Sequence, residues 1–496
     1  MKGWRRSTGA VLTIACAVAV TSCQGTSSGT GASSSPSSSK TSSQTPTSST
    51  TAPKPKTVTH ELLATDGRAG DNLGGAQAYD TFQTPIKPVY WATPGEAAMS
   101  SDGSIAVVGA PANAGSNRTG AGAVYVFGRS GGKWAQAAKL VATDGAQYDG
   151  LGWSVAVSGD GHTVVAGAPF ADSGHDVDLG AAYVFSDSSG HWTQIARLHG
   201  GDSAAYDGFG WSVGISRNGA LIAVGATGHD AAGVKDSGTA YVYKRGPGAF
   251  PWVQAAELQR QTPAERGEFG GAVALSADGS ILAVTELSNL DGDKVVHSGS
   301  TTVFASSDAW KTNRQRAFFA DTNRNDTGDS DAYGVNATIS DDGKVIAVAA
   351  PDVNVGKAGG AGATYVYRTT GDWRTPAQSS TLPLLPTDPR PFLYYGSSVA
   401  LSADGSRLFI GIDGAGINDQ GAAEVVELAA GRTPTAADRT AVDPPHPTKG
   451  RFGTAAAISA DGTTALSTSP WLTVGGAALR GAAYALTLAP PLAPQP

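Results

Sequence analysis

The chain is predicted to be all-β: a seven-bladed β-propeller of four-stranded antiparallel blades, closed by an N-terminal strand that completes the last blade. Three observations predict it. A unit of about 60 residues recurs, clearest as "DGLGWSVAVSGDGHTVVAGAPF" from 149 and "DGFGWSVGISRNGALIAVGATG" from 207, and periods of that size belong to blades or solenoid coils. Asp-Gly or Asn-Gly pairs punctuate the repeats at Asp102, Asp160, Asn218, Asp278, Asp342, Asp404 and Asp461, and such pairs supply the positive φ angles of type I′ hairpin turns. The last unit, from Arg451, holds only three strands, while "TVTHELLATDG" at 57–67 echoes "WAQAAKLVATDG" at 134–145. Val58 to Leu63 should therefore pair into blade seven and abolish an open sheet edge.

In chain order, residues 1–22 read as a lipoprotein signal peptide: Lys2, Arg5 and Arg6 precede a short apolar run, and Val20-Thr21-Ser22-Cys23 resembles a lipobox. Cys23 is then the lipid attachment site. Cys16 would leave with the signal, so the folded part has no thiol for a disulfide or a metal. Residues 23–56 are Ser, Thr, Gly and Pro with almost nothing apolar to bury, which makes them a disordered tether. The propeller follows at 57–491 and a short tail at 492–496. With 16% charged residues and a net charge of −7, the chain lacks the basic stripe that nucleic acid or an anionic membrane surface rewards.

Within each blade four short strands are legible, as in "GWSVAVS", "TVVAGAP", "GAAYVFS" and "WTQIARL". The third keeps a tyrosine in most units (Tyr125, Tyr183, Tyr241, Tyr365, Tyr484), and the fourth opens with Trp134, Trp192, Trp252, Trp310 or Trp373. Aromatics at one register in successive sheets pack blade against blade. "GWSVG" at 210–214 matches the nucleophile-elbow pattern G-x-S-x-G, but that motif needs a strand-to-helix turn. Ser212 instead lies inside a first strand, with Ser154 and Ser398 as counterparts and Ala272 or Thr454 in other blades.

These repeats resemble the FG-GAP repeats of integrin α-subunit propellers and bacterial surface proteins. The resemblance lies in Phe209-Gly210, Phe269-Gly270 and Phe452-Gly453, with Leu151-Gly152 and Tyr333-Gly334 as variants, and in "GAP" at 109–111 and 167–169. It is weaker in blades four, six and seven, where "VTELS", "IGIDG" and "LSTSP" end the second strand. It implies a binding or adhesion propeller and does not name a ligand. With the signal peptide and tether, the expectation is a monomer held outside a bacterial cell by its lipid, recognising an extracellular protein or polysaccharide.

Antiparallel blades give the propeller one face of short turns and one of long loops. The long-loop face carries aspartates five apart, Asp66 and Asp71, Asp144 and Asp149, Asp202 and Asp207, Asp326 and Asp331. Either it is an acidic surface for cations or a basic partner, or aspartate serves there as a turn residue bonding its own backbone. Calcium sites of the family's usual kind, between first and second strands, are replaced by the Asp-Gly turns. One stretch, "DTNRNDTGD", spaces Asp321, Asn323, Asn325 and Asp329 as Ca²⁺ ligands, although Asp326 stands where a turn glycine belongs; the other reading is a solvated polar loop. Blade one carries an insertion at 76–95 with Tyr79, Phe82, Tyr90 and Trp91, read either as a ligand-binding loop or as a plug over the channel. No H-E-x-x-H pair or clustered histidines point to catalysis. The alternative to a binding module is an extracellular hydrolase using carboxylates above the channel.

Overall fold

The computed structural model describes residues 58–75, 97–113, 120–173, 177–246, 252–287, 289–291, 294–296, 299–320, 331–375, 378–416, 419–446 and 448–491. Seven four-stranded antiparallel sheets follow one another in chain order. Blade one is Ala97–Met99, Ile105–Ala110, Ala123–Ser130 and Lys133–Leu140, and blade three is Phe209–Ile215, Leu221–Ala226, Thr239–Arg245 and Trp252–Leu258. Blade seven takes Ala456–Ile458, Thr464–Ser469 and Ala482–Thr487 from the end of the chain and Val58–Leu62 from the front, with Val58 opposite Thr487 and Leu62 opposite Ala483. The expected closure is present. A two-stranded hairpin, Asn289–Asp291 with Lys294–Val296, stands apart from blade four. Among the described residues no helix is long and apolar enough to cross a membrane.

Second strands such as Thr163–Ala168 and Val345–Ala350 are buried at every position. Each is covered on both faces by neighbouring blades, which is why they read as unbroken apolar runs instead of alternating. Tyr125, Tyr183, Tyr241 and Tyr484 are at most 1% exposed, and Tyr241 packs with Phe209 and with Val165 and Val184 of the preceding blade. Two tryptophans differ from expectation. Trp310 and Trp373 precede their fourth strands, and each donates its indole N–H to the turn glycine of its own blade, Gly279 O at 2.9 Å and Gly343 O at 2.7 Å. A buried indole needs such a partner.

The Asp-Gly turns are not of the two-residue type I′ kind. In blade one Ser100 N bonds Ile105 O and Gly103 N bonds Ser100 O, so four residues form the loop, and Gly103 alone has a left-handed φ, 66°. The aspartate instead ties the loop: Asp102 Oδ1 accepts Ser100 Oγ at 2.7 Å and Ser104 N at 2.9 Å, while Ser100 Oγ accepts Ile105 N. The same serine-aspartate arrangement recurs at Asp278, Asp342, Asp404 and Asp461. Type I′ geometry is found between third and fourth strands, at Gly131-Gly132 and Ser189-Gly190, where both residues are left-handed.

These turns form a closed ring. The backbone N–H of Ser101 donates to Gly159 O, and so on through Arg217, Ala277, Asp341, Ala403 and Ala460, whose own N–H returns to Ser101 O. Across this mouth Arg217 reaches Ser101 and Asp341. Gly159 leaves room for it, since a Cβ there would lie 2.4 Å from the arginine Cγ. Above lies a channel cavity of about 220 Å³ lined by first strands, including Met99, Val155, Val213, Val273, Val399 and Ile458, and no Asp or Glu is among its described lining residues.

Candidate functional site

Ser212 is a fastener between blades. It is 2% exposed, and its Oγ donates to Gly270 O of blade four at 2.7 Å. Ser154 does the same to Gly210 O at 3.0 Å and Ser398 to Gly453 O at 2.8 Å. Opposite each serine stands the glycine of the second strand: Gly167, Gly225 or Gly411. A Cβ on Gly225 would lie 2.0 Å from Gly270 O, so this glycine is there for close approach of the next blade. In blades four and seven the hydroxyl has changed strands. Ala272 faces Thr285, whose Oγ1 donates to Gly334 O at 2.6 Å, and Ala455 faces Thr468, whose Oγ1 donates to Gly74 O at 2.6 Å. Thr454, expected at the serine's position, is one residue short of it. The "VTELS" and "LSTSP" departures thus keep the bond while moving its donor.

The acceptors are the glycines of the Phe-Gly pairs. Gly210 has φ 94°, and a Cβ there would lie 2.2 Å from Ala181 O. The preceding Phe209 is fully buried and forms a parallel bridge to Gly180 of blade two.

On the long-loop face the aspartate pairs divide by role. The second members, Asp71, Asp149 and Asp207, are at most 5% exposed and accept the N–H of Arg68, Ala146 and Ala204 in their own loops at 2.6–2.7 Å. For these the turn reading holds. The first members are half-exposed and hold the third-strand tyrosines: Tyr125 OH donates to Asp66 at 2.8 Å and Tyr241 OH to Asp202 at 2.9 Å.

Blade two keeps an unbalanced acidic group. Asp178 is 5% exposed, and its Oδ2 has no hydrogen-bond partner among the described residues. Burial, then the charges of Asp172 and Asp149, push its carboxyl up to about 6 from an ordinary 3.8. The folded state therefore binds more protons between those values, so this group's contribution to stability increases as the pH falls from above 6 towards 4. Asp178→Asn should raise the melting temperature at pH 7 and flatten its dependence between pH 4 and 6, as checked by thermal unfolding across that range. An unchanged pH slope would show that the Asp178 carboxyl titrates alike in the folded and unfolded states.

Beside these loops lie three exposed aromatics at one structural position. Tyr148 (42% exposed) in the loop entering blade two, Tyr206 (45%) before blade three and Phe392 (65%) before blade six all have left-handed φ, 72°, 71° and 58°. Blade one has Gly70 there, φ 83°. Cys23, Tyr79, Phe82, Tyr90, Trp91, Asp321, Asn323, Asn325 and Asp329 lie outside the described residues. The aromatic positions were missed by sequence reading because their signal is a backbone angle.

The FG-GAP repeat family model matches residues 134–185 and 192–243. Each match starts at the tryptophan of one fourth strand and ends in the third strand of the next blade. The family's unit is thus offset from the blade by one strand, the register in which Val58–Leu62 closes the ring. The chain carries FG-GAP repeats, and its seven blades in a closed ring are consistent with an FG-GAP β-propeller. No curated protein matches it in sequence. Among solved structures it is similar to Kuenenia stuttgartiensis hydrazine synthase, with TM-score 0.48 and 16% identity over 78% of this chain and 95% of that one.

Proposed function

We propose that the chain is a surface-tethered recognition module, in which lipid at Cys23 and the 23–56 tether hold the propeller outside a bacterial membrane and the long-loop face binds an extracellular protein or polysaccharide. The observation that carries this reading is the trio Tyr148, Tyr206 and Phe392. A bulky residue at positive φ is unfavourable by about 1 kcal/mol or more, and Gly70 in blade one shows that the fold accepts glycine at this place. The rings are largely solvent-exposed, so their burial in the core does not offset that strain. Exposed aromatics on rigidly placed loops are typical anchors for a ligand. The opposite face offers little comparable, being tight turns ringed by backbone bonds with Arg217 across the mouth.

The test is crosslinking on intact cells producing the lipidated protein, followed by mass spectrometry. Wild type is compared with a variant lacking residues 77–95 and with Tyr148→Gly/Tyr206→Gly/Phe392→Gly, which copies Gly70 and leaves the backbone relaxed. The expected result is a partner captured by wild type and lost from the glycine variant, whose melting temperature holds or rises. Loss only on deleting 77–95 would move the site to Tyr79, Phe82, Tyr90 and Trp91. Undiminished capture by both variants would overturn the reading.

A further inference from the structure

Blade three holds a side-chain cluster that its two preceding neighbours do not. The fourth-strand residue opposite the buried tyrosine is Lys139 in blade one (opposite Tyr125), Arg197 in blade two (opposite Tyr183) and Glu257 in blade three (opposite Tyr241). In the first two the basic group reaches the first aspartate of the entering loop, Lys139 Nζ to Asp66 Oδ2 at 2.6 Å and Arg197 Nε to Asp144 Oδ2 at 3.3 Å. Blade three keeps that aspartate as Asp202 but puts a carboxylate where the cation stood. The third residue after the second strand changes with it: Asn113, then Ala171, then His229.

His229 is 8% exposed. Its Nδ1 lies 2.9 Å from Asp207 Oδ2, and its Nε2 faces Asp202 Oδ2 at 3.5 Å. Asp202, His229 and Glu257 each bring one ligand atom within 4.8 Å of the others, the two carboxylates exposed and the imidazole buried. When Nδ1–H is donated to Asp207, Nε2 turns a lone pair towards two carboxylates. Such a meeting needs a positive charge between its members, which blades one and two supply from the chain itself.

We propose that Asp202, His229 and Glu257 form a binding site for a first-row divalent cation of the Zn²⁺ class, with Asp207 as the carboxylate that fixes the imidazole's tautomer. One imidazole nitrogen with two carboxylates suits Zn²⁺, Mn²⁺, Fe²⁺ or Co²⁺, whereas Ca²⁺ and Mg²⁺ take oxygen alone. The 3.5 Å between Nε2 and Asp202 Oδ2 is close to the edge of about 3.4 Å in a tetrahedron with metal–ligand bonds of about 2.1 Å. A carboxylate behind a ligating histidine orients the ring and raises its basicity. Three protein ligands leave a coordination position open on the solvent side.

The experiment is Zn²⁺ and Co²⁺ binding to the chelator-stripped full-length protein, followed by calorimetry and by the visible absorption of Co²⁺, with Ca²⁺ as the comparison. Wild type should bind Zn²⁺ with a component that Glu257→Lys weakens by about 100-fold or more, because the variant installs the side chain blade one uses. Its metal-free melting temperature should hold or rise. Should that variant fold poorly, Glu257→Gln keeps the shape and should show the same loss. Asp207→Asn should weaken affinity by about 10- to 100-fold. Zn²⁺ bound equally by wild type and both Glu257 variants overturns the proposal, as does tighter binding of Ca²⁺. So does no binding by wild type, which would leave a protonated His229 as the balancing charge.

Discussion

Deleting residues 57–64 should lower the melting temperature by about 5 °C or more and make the protein prone to aggregate. The deletion removes the whole outer strand of blade seven, whose five residues pair with Ala483 through Thr487. Leu62 and Ala64 are 2% and 3% exposed within the core between blades seven and one. Outside the strand, Arg480 Nη2 donates to Ala64 O at 2.6 Å, a bond joining residues far apart in sequence. Burying one leucine side chain contributes about 2 kcal/mol. The strand's pairing and the apolar face it covers raise the total to about 5 kcal/mol. Unfolding entropy scales as about 2.1 cal/mol/K per residue, so in a domain of this size each kcal/mol moves the midpoint by about 1 °C. The exposed edge of Ala482–Thr487 would then be free to pair with another chain. Circular dichroism melts at several protein concentrations would show both effects, and coincident melting curves for the two proteins would mean that the strand is not what holds the ring closed.

That this closure could be read from the sequence, while other features could not, has a physical reason. Blade number and strand order come from local chemistry: Asp-Gly turns, tyrosines at one register, and apolar runs where a strand is covered on both sides. The N-terminal strand could be found because it is simply a fourth strand displaced to the front, with "LLATDG" standing where "LVATDG" stands in blade one. Turn type was misjudged because a dipeptide says nothing of Ser100, whose hydroxyl bridges Asp102 and Ile105 N and stretches the loop to four residues. Trp310 and Trp373 were placed one element late because the indole's need for a carbonyl, Gly279 O or Gly343 O, decides its position. The blade-three cluster was out of reach for a related reason. Its members are 27 and 28 residues apart in sequence; the repeat does show a basic residue turned acidic, since five residues after the tryptophan stand Lys139, Arg197 and then Glu257, but only the fold shows that Asp202 and His229 meet that carboxylate. The insertion at 76–95 carries no repeat signal at all, since an insertion has no counterpart in other blades.

The hydroxyl that ties blades two, three, four, six and seven to the blade that follows should tolerate moving between strands but not being lost or duplicated. Ser212→Ala alone leaves Gly270 O buried without its donor, and should destabilise the protein by about 1–2 kcal/mol. Gly225→Thr alone places a Cβ where Gly270 O would be 2.0 Å and Ser212 Oγ 2.5 Å away, an overpacking that should cost about 3 kcal/mol or more. Backbone conformation is no obstacle, because Gly225, unlike Gly210, is not among the glycines with a left-handed φ; its glycine is a matter of space. Combined, the two substitutions reproduce the arrangement of blade four, where Ala272 faces Thr285 and the threonine hydroxyl reaches Gly334 O. The double variant should therefore be more stable than Gly225→Thr alone, with a favourable coupling of about 2 kcal/mol in a double-mutant cycle measured by urea unfolding. Blades four and seven hold the same pairing on the two sides of the ring, so the spacing that a threonine needs already exists within this fold. If the two effects merely added, the exchange of Ser and Gly for Ala and Thr would not be one interaction written in two ways. Each junction would then depend on its own packing, and the departures of blades four and seven from the repeat would need separate explanations.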